Sequence, residues 1–111
     1  MIINEFEFCK NLAKKFPDIA SILAEHLSDY DKLLPYVFLA DVTRYVLANE
    51  QSRKLVVEHL ESMFATGRAA VENLIALSFV QNLENEDDLN CAMKGAQAPR
   101  LRAEWIRQRM S

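Results

Sequence analysis

A chain of 111 residues, 50% hydrophobic and 26% charged, suits one globular domain with its own core and excludes a disordered polyanion. Two glycines and three prolines exclude a fold dense in tight turns and leave a chain that is nearly all helix. The net charge of −3 conceals an asymmetry. Residues 1–93 carry 8 Lys/Arg against 15 Asp/Glu, a balance of −7, whereas residues 94–111 carry five against one, a balance of +4.

The first residues, MIINEFEFCK, lack the basic start and apolar run of a secretory signal, and no stretch approaches the ~18 apolar residues of a membrane span. The expectation is a cytoplasmic protein, 1–111 as one domain, with Cys9 and Cys91 as reduced, buried thiols.

In chain order, a first helix begins near Asn4, which stands three residues before Glu7 in the spacing of a capping box. Phe6, Phe8, Cys9, Leu12, Ala13 and Phe16 recur along it at helical spacing. Pro17 opens a second helix on Ile19, Ile22, Leu23, His26 and Leu27, ended by SDYDK at 28–32. Pro35 opens a third, with Phe38, Leu39, Val42, Tyr45 and Val46 on one stripe and Tyr36 and Asp41 off it. After a short connection at 49–52, a fourth helix carries Leu55, Val56, Leu60, Met63 and Phe64, and Gly67 can supply its left-handed stop. A fifth, near 69–83, is apolar on every side and reads as the central, buried one. A sixth spans about 86–94 before Gly95, and Pro99 opens a seventh that docks through Leu101, Trp105 and Ile106.

The fold class expected is all-α: about seven short helices as stacked antiparallel hairpins, HEAT-like or an irregular bundle. AEHLS at 24–28 returns as VEHLE at 57–61, and VLANE at 46–50 resembles NLENE at 82–86, as in a repeated hairpin unit.

Catalytic motifs are missing. Two isolated glycines make neither a phosphate-cradling loop nor a nucleophile elbow. His26 and His59 each lie alone in an amphipathic helix, half-buried rather than metal-binding, beside the solvent-facing Glu25 and Glu58. The expectation is no enzyme, no cofactor and no metal.

The charge patches remain. ENEDD at 84–88 lacks the glycine and the spacing of a calcium loop. Asn85 as N-cap would set Glu86, Asp87 and Asp88 in a first helical turn, where carboxylates offset the helix dipole; Glu84 falls outside that account. A second acidic edge is Asp29, Tyr30 and Asp31, a tyrosine between carboxylates as polar recognition surfaces use. Arg100, Arg102, Arg107 and Arg109 around Trp105 raise a nucleic-acid reading, which the acidic charge of the whole chain opposes.

From LLPYVFLADVTRYV to AVENLIALSFVQNLEN the chain resembles a family of short, acidic, helical bacterial proteins, once a domain of unknown function. Leu34, Pro35 and Asp41 carry the first part of the likeness, and Val71, Leu74, Ile75, Ser78, Phe79, Asn82 and Leu83 the second. The resemblance implies an immunity protein of a polymorphic or contact-delivered toxin system, which binds a cognate toxin domain and blocks its active site. The partner surface then comprises Glu84, Glu86, Asp87 and Asp88 with Glu50, or the Asp29–Asp31 edge, in a 1:1 complex of a monomer. Neither nucleic acid nor membrane is an expected partner. The alternative is a helical adaptor for another protein.

Overall fold

The computed structural model describes residues 4–66 and 68–110. Helices α1 (Glu5–Lys15), α2 (Pro17–Tyr30), α3 (Pro35–Ala48) and α4 (Glu50–Phe64) follow one another with few linking residues. Helix α5 (Ala69–Ile75) runs on into a π-helical turn, Ala76–Val80, and α6 (Glu86–Met93) and α7 (Pro99–Met110) complete an all-α fold. Gly67, read from the sequence as a helix stop, lies outside the described residues.

Local chemistry sets these boundaries. Asn4 Oδ1 accepts the Glu7 N–H at 2.8 Å, capping α1 as its spacing predicts. Proline occupies the first turn of α2 and α3, where a missing N–H leaves nothing unpaired. Helix α2 ends in a left-handed residue, Asp31 at φ 61, a conformation that Asp tolerates better than bulkier residues. Beyond α6, Gly95 takes φ 76, so the chain turns where a side chain would be strained.

Phe8, Phe38 and Phe79 are fully buried in one core with Leu12, Ile19, Leu39, Leu60, Leu74 and Leu101. Helix α3 lies against α1, α2, α4, α5, the π turn and α6, and α1 reaches past α2 to α3 and α5. That mutual packing is an irregular bundle rather than an array in which each hairpin meets only its neighbours. The two EHL copies occupy unlike surroundings: His26 is buried, whereas His59 is half-buried against Phe8 and Phe16.

The π turn has an identifiable cause. Thr43 Oγ1 of α3, buried, donates to Ser78 O at 3.0 Å, and Asn82 Nδ2 donates to the same carbonyl at 2.6 Å. Gln108 Nε2 of α7 donates to Ala76 O at 3.0 Å. Side chains that compete for these carbonyls loosen the regular ladder, and the Gln81 N–H closes the wider ring to Ala76 O.

Several residues of the expected apolar stripes face water. Phe6, Leu27, Leu55, Leu77 and Ile106 are exposed, Leu55 at 62%. Each lies at the margin of an apolar arc wider than the surface its neighbours cover, which periodicity cannot reveal. The fifth helix is therefore not buried on every side: Leu77 looks outward while Leu74, Ile75, Phe79 and Val80 face the core. Cys9 is buried, but Cys91 is only partly so, with Sγ 3.7 Å from Leu47 O.

Candidate functional site: an acidic cleft between α2 and α3

The last turns of α2 and the outer side of α3 enclose a cleft of about 330 Å³. Glu25, Asp29 and Tyr30 come from α2 and Asp41 and Tyr45 from α3, with Ile22 and His26 completing the wall. The helical spacing of 22, 25, 26, 29 and 30 puts the α2 members on one face. Among the described residues, neither lysine nor arginine belongs to the lining.

His26 is not the half-buried residue expected from its helix: it is 1% exposed. Its Nε2 accepts the Leu34 N–H at 2.9 Å, tying α2 to the entry of α3. The ring meets Tyr30 at a 4.9 Å centroid distance and the edge of Phe38 at 5.8 Å. Because Nε2 accepts, the neutral imidazole carries its proton on Nδ1. That nitrogen is buried and has no hydrogen-bond partner among the described residues.

The rest of the rim is charged. Tyr45 donates its hydroxyl to Asp18, and burial, then that bond, raises its phenol above the ordinary range. Asp41 pairs with Arg44, a surface contact three residues along α3. Asp29 and Tyr30 thus stand in the cleft as members of an expected edge, while Asp31 caps α2 as an exposed left-handed residue. His26, Glu25 and Tyr45 were not read as partner-facing. For Glu25 and His26 the signal is the i, i+3, i+4 recurrence of acid and aromatic on the outer side of α2, which only the neighbouring α3, carrying Tyr45, turns into a cleft.

The second expected edge is elsewhere, and α2 and α6 do not touch. Asn85 Oδ1 accepts the Asp88 N–H at 2.9 Å, and Asp88 Oδ2 accepts the Glu84 N–H at 3.1 Å. This reciprocal cap accounts for Asn85 and Asp88 and fixes the backbone, though not the side chain, of Glu84. Glu84, Glu86 and Asp87 are exposed, as is Glu50 at the start of α4.

The basic α7 is held by the acidic body. Glu61 Oε1 accepts the Leu101 N–H at 2.9 Å and Oε2 the Arg100 N–H at 3.1 Å, while Glu58 Oε2 accepts the Gln97 N–H at 2.9 Å. Glu58 is therefore not the free helix charge expected from its spacing. Trp105 is buried and donates Nε1–H to Leu83 O at 2.6 Å, with the Arg109 guanidinium over its ring. Leu101 and Trp105 dock as predicted, and Ile106 does not.

Among the described residues, no three His, Cys, Asp or Glu groups gather in a set able to hold a metal ion. No described helix is long and apolar enough to cross a membrane. Fold and surface together define an all-helical domain with an acidic, tyrosine-walled cleft between α2 and α3. The chain belongs to the family DUF7674, a domain of unknown function, whose model matches residues 9–111. No curated protein and no solved structure matches it. The family description assigns no activity, so a toxin-neutralising role is a proposal.

Proposed function

We propose that this domain is a non-catalytic protein-binding module, acting in the cytoplasm as an immunity protein that occludes a cognate toxin domain. The observation that carries the binding reading is the α2–α3 cleft, where Glu25, Asp29 and Asp41 converge beside Tyr30 with neither lysine nor arginine among the described lining residues. Such a surface favours a basic partner: complementary charge speeds encounter and selects the partner, while aromatic contacts supply most of the affinity. A toxin cleft that grips phosphate groups has that character.

The α6 edge is a secondary contact in this reading. The reciprocal cap supplies a local reason for Asn85 and Asp88, leaving Glu84, Glu86 and Asp87 to face a partner.

The test is survival. The C-terminal domain of the protein encoded immediately upstream is expressed in a sensitive host with and without this chain. Killing relieved by the wild-type chain, and not by one with Glu25, Asp29 and Asp41 changed to lysine, is the expected result. A harmless neighbour, or killing that persists, removes the immunity reading.

One observation favours a helical adaptor as the second reading. Ala13 of α1 and Ala20, Leu23, Ala24 and Leu27 of α2 line an apolar groove edged by Lys10 and Lys14. An acidic amphipathic helix fits such a groove. Loss of toxin protection together with retained binding of such a helix would favour this reading.

A further inference from the structure

Helix α2 has two flanks, and the acidic cleft takes only one of them. Ile22, Glu25, His26 and Asp29 line that cleft, whereas Ala20, Leu23, Ala24 and Leu27 recur at i, i+3, i+4 and i+7 along the flank beside α1. With Ala13 they form the apolar part of the α1–α2 groove, edged by Lys10 and Lys14. Ala20, Ala24 and Leu27 are exposed, Leu27 at 42%, and Leu23 is half-buried. A stripe with this spacing is the kind that packs against another helix.

The order of sizes along the stripe, small, large, small, large, says which helix fits. The midpoint of α2 falls between Leu23 and Ala24. A second α2 laid antiparallel across that point, about a twofold axis, sets Ala20 against the copy's Leu27 and Leu23 against its Ala24. Each layer then pairs one large side chain with one small one, which lets the helices approach closely without a void. A parallel copy would oppose leucine to leucine and alanine to alanine.

Charge follows the same arrangement. The C-terminal end of α2 is the negative end of its dipole, has no basic residue in its last turn, and finishes in the exposed Asp31. Lys14 belongs to the last turn of α1, which is followed at once by the first turn of α2. Antiparallel pairing brings Asp31 of one copy to that start of α2 in the other, and so to Lys14.

We propose that the α1–α2 groove is a homodimer interface: two copies pair through antiparallel α2 helices about a twofold axis between Leu23 and Ala24, with Lys14 of each copy at Asp31 of the other. The proposal rests on neither the toxin nor the adaptor reading. It replaces the expected monomer with a pair whose two acidic clefts stay open, because they lie on the other flank of α2.

The seam is small and belongs with transient contacts, so sedimentation velocity from about 1 µM to about 1 mM should show the 12.7 kDa chain giving way to a species of twice its mass. A24E sets a carboxylate from an exposed position against the other copy's Leu23 and should weaken pairing roughly tenfold, with an unchanged far-ultraviolet spectrum. K14Q and D31N should each weaken it about threefold, and the double variant no further than either alone.

Cysteine pairs test the register in a C91S background. A24C sets the two thiols about 1.5 Å apart along the helix axis, within a disulfide's reach, whereas A20C leaves them about 10 Å apart. Mild oxidation should therefore cross-link A24C to itself, A20C to L27C in a mixture, and A20C alone hardly at all. A chain that stays monomeric throughout the concentration range overturns the pairing and leaves the groove to a partner's helix. Dimers that survive A24E, or that cross-link through A20C alone as readily as through A24C, overturn this interface.

Discussion

Glu61 and Leu101, forty residues apart, meet where a carboxylate of α4 accepts the first free N–H groups of α7, at 2.9 Å to Leu101 and 3.1 Å to Arg100. Ala98, the residue before Pro99, has no side chain that can cap a helix, so the cap comes from another element. The charge also suits the position: a carboxylate at a helix N-terminus opposes the positive end of the dipole. The acidic body and the basic tail are thereby parts of one structural device rather than two separate surfaces.

E61A should therefore unfold more readily by about 2–3 kcal/mol, since hydrogen bonds to a charged group are lost at a nearly buried site. E61Q, which keeps one acceptor, should recover part of that. Urea denaturation of the three proteins measures it, and amide exchange should quicken first in α7.

Thr43 gives a cleaner test of the packing that bends α5 into its π turn. T43V preserves shape and removes the donor at 2.8 Å from Leu39 O and 3.0 Å from Ser78 O. A loss of about 1 kcal/mol with an unchanged denaturant slope is expected. A change below the precision of the measurement would show that Asn82 alone holds the Ser78 carbonyl.

Burial, with a smaller contribution from Lys15, lowers the His59 pKa below its ordinary 6.5. The folded state thus prefers the neutral ring, and the unfolded chain takes up the proton first. Stability from this group is complete above pH 6.5 and falls as pH drops through the folded value. Thermal melts between pH 7.5 and 5.5 should show the decline, and H59Q should flatten it.

Burial, and secondarily Glu5, pushes the Cys9 thiol up to about 12. A thiol held protonated is a poor nucleophile. An aromatic disulfide reagent at pH 8 should accordingly label Cys91 in the native protein and reach Cys9 only after unfolding. Equal labelling rates would contradict the buried position of Cys9.

The local elements were legible because their causes are local. Asn4 and Asn85 announce caps three residues ahead, prolines 17, 35 and 99 open helices, and Gly95 closes one, all through backbone chemistry within a turn. The acidic edges were legible as composition, and Asp29 and Tyr30 could be named from their exposure-prone setting. Glu25, His26 and Tyr45 could not be grouped, because nothing in a 3.6-residue period says which helix will lie alongside. The same limit misplaced Leu27, Leu55, Leu77 and Ile106. An apolar arc states what can be buried, and the neighbour's position decides what is. Sequence alone determined an all-helical chain with an acidic body and a basic last helix. Tertiary packing decided that α3 sits at the centre, that Glu61 caps α7, and that three scattered carboxylates share a cleft with a buried imidazole, since each depends on contacts between residues far apart in the chain.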